Sequence, residues 1–286
     1  MRTILSVLGA SRPISWVNTA FPFGAAYLVA GGGFDLVFWL GVAFFLIPYN
    51  IAMYGINDVF DYESDIRNPR KGGVEGAVLS KDLHSALLWA SAITVVPFAV
   101  YLYAAGTWAS AAWLTVALFA VVAYSAPGLR FKERPFLDSV TSSTHFVAPA
   151  LVGGAMAPDP LTGGFWMAMA SFFLWGLASH ALGAVQDVRA DREGGLSSIA
   201  TVLGARATAR LATVTYAIAA SLLLLLPAPA WIVAIAAATY AVNAGRFWTI
   251  TDARCEDAHR GWIVFLWLNF LVGAVVTITM LWVWVR

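Results

Sequence analysis

Three aspartates, an asparagine and a tyrosine recur at helical spacing in the stretch Asn50-Ile-Ala-Met-Tyr54-Gly-Ile-Asn57-Asp58-Val-Phe-Asp61-Tyr-Glu-Ser-Asp65. On a helix turning 100° per residue, Tyr54, Asn57, Asp58, Asp61 and Asp65 share an arc of about 100°, opposite Ile51 and Phe60. Carboxylates crowded on one stripe at the edge of an apolar slab repel one another and need a positive partner. A solvated helix end is the plain alternative, but such ends mix signs along a face. Here the bases Arg67, Arg70 and Lys71 follow the acids instead of alternating with them. Hard carboxylate oxygens suit magnesium, which keeps waters and shares phosphate oxygens with a substrate. Asp58, Asp61 and Asp65 are therefore candidate metal ligands.

A second cluster reads His180-Ala-Leu-Gly-Ala-Val-Gln-Asp187-Val-Arg-Ala-Asp191. Asp187 and Asp191 are i, i+4 neighbours on one helical face, with His180 two turns earlier on it. The spacing of Asp61 and Asp65 thus recurs, and each pair ends an apolar stretch. One such pair is weak evidence; two at equivalent positions are much stronger. With Arg67, Arg70, Lys71, Arg130 and Lys132 they make a mixed site, in which acids hold magnesium and bases neutralise the rest of a diphosphate.

The elements that must position these groups are membrane spans. Of 286 residues, 60% are hydrophobic and 12% charged, with mean hydropathy +0.75; soluble domains carry about 25% charge. Nine apolar stretches lie roughly at 14–32, 36–56, 85–104, 108–125, 138–157, 165–186, 208–226, 229–248 and 262–284, each long enough to cross a core about 30 Å thick. All 17 Lys and Arg except Arg286 fall on one side of this arrangement, and only Asp35 and Asp159 among the acids fall on the other. By the positive-inside rule the N-terminus and both acidic clusters are cytosolic and the C-terminus is outside. The expected fold is all-α, a multi-pass cell-membrane protein of one domain over 1–286. The segment Ile4–Ala10 is too short for a signal-peptide core and is expected to stay in the mature chain. The single cysteine, Cys255, excludes an intrachain disulfide and a cysteine-built zinc site. The net charge of +1 argues against a nucleic-acid partner. A secondary transporter is the rival class, but transporter sites lie near the midplane, whereas these carboxylates gather at one surface.

The motifs Asn57-x-x-x-Asp61-x-x-x-Asp65 and Asp187-x-x-x-Asp191 resemble the two signature motifs of the UbiA superfamily of intramembrane prenyltransferases. The segment Tyr124-Ser-Ala-Pro-Gly-Leu-Arg130-Phe-Lys132 is similar to the tyrosine-plus-basic stretch after that family's fourth helix. The resemblance covers the whole chain. It implies nine helices around a central cavity, an allylic diphosphate held by magnesium at the cytosolic mouth, and a prenyl chain in an apolar tunnel. It places Asn57, Asp61, Asp65, Asp187 and Asp191 at the reaction, and Arg67, Arg70, Lys71, Tyr124, Arg130 and Lys132 on the diphosphate. Where many members read Gly-x-Lys-Thr after the second motif, this chain has Gly195-Leu-Ser197-Ser198, which weakens the case for a quinone-type acceptor. Within the superfamily the stretches around Asn57–Gly73 and His180–Asp187 most resemble the lycopene elongases. That implies dimethylallyl diphosphate as donor and a carotenoid end as the lipophilic acceptor in the lipid; an aromatic acceptor is the alternative.

Other residues are expected to complete the chemistry. Tyr54 is the leading candidate for a π-face toward an allylic cation. His145 and His180 are candidate proton acceptors, with diphosphate oxygens as the alternative base. Asp138, Ser139, Thr141, Ser142 and Ser143 are candidates for a polar wall, although Ser and Thr also serve helix contacts. Gly153 and Gly154 mark either a lateral opening for the acceptor or a close helix contact.

Overall fold

Prolines, glycines and hydroxyl caps cut the apolar chain into helices. The computed structural model describes residues 2–66 and 80–285, and every regular element among them is helical. In order these are α1 (Arg2–Ala10), α2 (Val17–Val29), α3 (Leu36–Leu46), α4 (Pro48–Phe60), α5 (Tyr62–Asp65), α6 (His84–Ala105), α7 (Trp108–Ser125), α8 (Leu137–Met156), α9 (Gly163–Val185), α10 (Val188–Glu193), α11 (Ile199–Leu203), α12 (Ala205–Leu223), α13 (Ala230–Gly245) and α14 (His259–Val285). Side-chain caps start several of them: Asp35 accepts from the Phe38 amide, Thr162 from Phe165, and Thr107 and Ser198 form reciprocal capping boxes.

The chain divides into two compact units. The first comprises Met1–Phe131 and Thr144–Leu161, the second Lys132–Ser143 and Thr162–Arg286. Phe23, Phe44, Phe45, Tyr49, Leu102 and Leu114 centre the first unit's core, with α4 against α6 and α2 against α3. The second is built on α12 against α9 and α13, around Leu182, Tyr216, Tyr240 and Phe265. Between helices in lipid, cohesion comes from close contact, and glycines allow it: a Cβ on Gly41 would strike the Phe23 ring, and one on Gly176 would strike Ser143. Outward-facing Trp89, Ile93, Val100 and Trp267 are more than half exposed. Such an apolar exterior fits a bilayer and would be an aggregation hazard in water.

Among the described residues five helical stretches are long and apolar enough to cross a membrane: Leu36–Phe60, Lys81–Ala105, Trp108–Ser125, Gly163–Val185 and Asp252–Val283, with Ala230–Gly245 apolar but shorter. The other three expected spans meet physical obstacles. The stretch at 14–32 holds a helix of only 13 residues with Pro22 inside it, about 20 Å at 1.5 Å per residue. The first half of α8 is rich in hydroxyls, and α12 carries Arg206 and Arg210 near its start. The stretch at 36–56 is not one helix, because Pro48, which has no amide hydrogen, starts a new helix directly after the cap of α3.

Candidate active site

In the first unit, α4 carries Tyr54, Asn57 and Asp58 and then stops. Asp61 is its C-cap, with φ −99° and ψ −3°, and its amide donates to Asn57 O at 2.9 Å. The short α5 follows, so the single continuous arc through Asp65 is interrupted at Asp61. This bridge conformation is sparsely populated and recurs at active sites. Asn57 Nδ2 donates to Asp61 Oδ2 at 2.6 Å and to Ser125 Oγ at 2.8 Å, tying the motif to the end of α7. Asp58 is a candidate metal ligand whose Oδ1 is instead held by Arg12 Nη2 at 3.0 Å, its side chain only 1% exposed. The Arg12 guanidinium also lies 4.3 Å from the centroid of the Tyr54 ring. One face of Tyr54 therefore already serves a cation, which counts against offering that face to a carbocation. Tyr124 meets the buried His145 edge-on at 5.3 Å. Arg130 follows α7 in a left-handed conformation, φ 40°. The side chain of Asp65, and Arg67, Arg70 and Lys71 entirely, lie outside the described residues.

In the second unit, α9 ends at Val185 and Asp187 precedes α10 with φ −95° and ψ −7°. The first aspartate of each motif thus sits at a helix break with nearly the same backbone angles. The Asp191 amide donates to Asp187 O at 2.8 Å, and the Leu196 amide to Asp191 O at 2.8 Å. The neighbouring Gln186 donates to Gly183 O and shares a 2.8 Å hydrogen bond with His259 Nδ1. The motif's arginines turn elsewhere: Arg189 pairs with Glu256 at 2.6 Å, and Arg192 with Asp252 at 2.6 Å and with Thr201 O at 2.7 Å. Lys132 lies in a one-turn 3-10 helix, Phe131–Glu133.

His180 Nδ1 and Ser139 Oγ share a 3.0 Å hydrogen bond, so these two candidates are brought together. Asp138, Thr141 and Ser143 each hold backbone groups instead. Asp138 is fully buried and accepts from the Ser139 and Ile199 amides, both at 2.7 Å, fastening the start of α11. Thr141 bonds Leu137 O and Ser143 bonds Phe173 O, so those hydroxyls serve helix contacts. Gly153 is no opening either: a Cβ there would strike the Phe23 carbonyl, so it marks close contact.

Among the described residues no three His, Cys, Asp or Glu side chains gather to hold a metal by themselves. The carboxylates at the two helix breaks fit magnesium that shares its shell with phosphate oxygens better than they fit an all-protein cage.

A UbiA prenyltransferase family model matches residues 19–284. The chain belongs to the UbiA prenyltransferase family. It is similar to the lycopene elongase/hydratase of Corynebacterium glutamicum, 64% identical over 281 residues that cover 98% of each chain. It is 56% identical over 280 residues to a C(50) beta-cyclic carotenoids biosynthesis protein of Dietzia sp., covering 98% of this chain and 65% of that one. The solved structure of a UbiA homolog from Archaeoglobus fulgidus bound to DMAPP and Mg2+ has a TM-score of 0.67 at 16% identity, over 94% of this chain and 99% of that one. That last likeness is one of fold.

Within this UbiA chain, sequence reasoning missed Arg12, Ser125 and the Gln186–His259 pair. Ser125 stands inside the quoted Tyr124–Lys132 stretch, so its neighbours flagged it. Arg12 carried one faint signal, a cation just before the first apolar stretch.

Proposed function

We propose that the chain moves a dimethylallyl group from its diphosphate to the end of an acyclic carotenoid such as lycopene, inside the membrane at its cytosolic face. The observation that carries this reading is the matched pair of helix breaks at Asp61 and Asp187, each placing a carboxylate where an apolar helix ends. The carotenoid names of the relatives support the acceptor, and the diphosphate and Mg2+ held by the archaeal homolog support the donor and metal.

In this reading the allylic carbon–oxygen bond breaks with its electron pair leaving on the diphosphate. The acceptor's terminal alkene supplies the pair for the new carbon–carbon bond, and the positive charge passes to the acceptor. That charge is quenched by loss of a proton, or by capture of water followed by loss of a proton. Magnesium, when bound, offsets charge on the departing diphosphate. Asp61, fixed by Asn57, contributes carboxylate oxygen, as do Asp65, Asp187 and Asp191. Arg67, Arg70, Lys71, Arg130, Lys132 and Tyr124 offset and bind the remaining diphosphate oxygens. His180, held at Nδ1 by Ser139, takes the proton. Apolar walls keep bulk water from the cation.

The topology in this reading is nine crossings with a cytosolic N-terminus. Reporters fused after residue 75 or 195 then report cytosol, and one after Pro160 reports outside; the same side for both classes would end that topology. The decisive assay is purified protein with magnesium, dimethylallyl diphosphate and either lycopene or an aromatic acid, read by mass spectrometry. Prenylated lycopene is expected. Prenylation of the aromatic acid alone, or preference for geranylgeranyl diphosphate, would overturn the carotenoid reading.

A further inference from the structure

Arg12 occupies a left-handed turn, φ 51° and ψ 74°, which favours glycine and is strained for any other residue. Its backbone is pinned on both sides, its amide donating to Gly9 O at 3.1 Å and its carbonyl accepting from the Ser15 amide at 2.8 Å. Nothing in that turn requires a guanidinium. What the strained turn does achieve is delivery, to a residue 46 positions later. Nη2 sits 3.0 Å from Asp58 Oδ1, the cation covers the Tyr54 ring, and the arginine side chain is only 18% exposed. A carboxylate as buried as Asp58 is costly without a counter-ion. One helical turn on, Asp61 is already oriented by Asn57.

We propose that Arg12 is a positioning residue and the permanent counter-ion of Asp58, taking that carboxylate out of the metal-binding set. The Asn57–Asp61 pair is then what the structured end of α4 offers to the metal diphosphate. This inference rests on the prenyltransferase reading above. It has an electrostatic signature. Removing Arg12 takes one positive charge away from Asp58, one turn from Asp61, so the motif attracts magnesium more strongly while holding Asp61 less well.

The test measures turnover, half-saturating magnesium and thermal melting for Arg12→Ala, Arg12→Gly, Arg12→Lys, Asp58→Asn and the double variant Arg12→Ala/Asp58→Asn. Alanine and glycine at position 12 should lower kcat about tenfold, as loss of a supporting partner does, and should lower half-saturating magnesium about threefold. Glycine relieves the strained turn, so an equal loss there assigns the effect to the guanidinium. Lysine should restore part of kcat, and the double variant should return both quantities toward wild type. A double variant no better than Arg12→Ala would mean that Arg12 acts on the substrate itself and would overturn the proposal. So would an Asp58→Asn variant that raises half-saturating magnesium as much as Asp61→Asn does. If Arg12→Ala melts below the assay temperature, the lysine variant and Asp58→Asn decide by the same two readings. Full activity in Asp61→Asn would remove the prenyltransferase reading instead; loss there with unchanged Arg12 variants removes only this inference.

Discussion

At the end of α4 an arginine from elsewhere in the chain closes on the acidic motif, whereas at the end of α9 the motif's own arginines close on something else. Arg12 reaches Asp58 and Tyr54. Arg189 and Arg192 reach Glu256, Asp252 and the Thr201 carbonyl. Both motifs break their helix at the first aspartate with almost the same backbone angles. One backbone device is thus supported in two ways. The first motif is held by charge compensation at a buried carboxylate, the second by tethering of the segment around it. Asp252 does double duty in that tether, since its Oδ1 also accepts the Ala205 amide at 2.7 Å and so caps α12.

The largest effects should fall on what the motifs share. Asp61→Asn and Asp187→Asn should each reduce turnover by about three orders of magnitude, with melting nearly unchanged, because in the proposed reaction each aspartate supplies an anionic oxygen to metal and phosphate. Excess chelator should abolish turnover. Full activity in chelator, or strong activity in either variant, would break the parallel between the motifs.

Next come the tethers, where the motifs should diverge. Arg192→Ala should raise KM for the diphosphate about tenfold with a smaller change in kcat, the usual size for loss of an orienting partner. Half-saturating magnesium should rise or stay level, opposite in sign to the effect expected at Arg12. A fall in half-saturating magnesium in both variants would erase the distinction between charge compensation and tethering. A smaller loss is expected for Ser125→Ala, about three- to tenfold in kcat, since Asn57 keeps its bond to Asp61 while losing its anchor on α7. No loss there would show that Asn57 needs no such anchor.

How legible these regions are in the sequence follows from contact distance along the chain. Acid spacing and apolar helix ends are local patterns, and both survive in the structure. The arc through Tyr54 to Asp65 assumed an unbroken helix, and nothing in the local residues announces the turn at Asp61. Arg12 lies 46 residues from Asp58, and Ile199 lies 61 residues from Asp138. Hence one carboxylate read as a metal ligand turned out to be ion-paired, and one read as a polar wall caps α11. Span boundaries were overdrawn where hydropathy continues past a proline, as at Pro22 and Pro48.

The smallest expected effect supplies a baseline, because Asp35 is a helix-capping acid outside both motifs. Its carboxylate accepts from the Phe38 amide at 2.9 Å and from the Tyr27 hydroxyl at 2.7 Å. The Phe38 amide first, and the tyrosine second, hold its carboxyl below the usual carboxylate range. A folded-state value lower than the unfolded one stabilises the protein above the unfolded pKa, and that contribution is lost as pH falls through the folded value. The group is exposed, so the contribution is at the low end for a cap, about 0.5 kcal/mol. Asp35→Ala should accordingly lower Tm by about 1–2 °C at neutral pH, leave turnover alone, and converge with wild type as pH falls through the lowered carboxyl value. A difference that grows on acidification would contradict the sign, and a loss of turnover would mean that an acid far from either motif in sequence also reaches the chemistry. With neither outcome, activity losses at Asp61 and Asp187 that exceed this baseline can be assigned to what those carboxylates bind rather than to the helix ends they occupy.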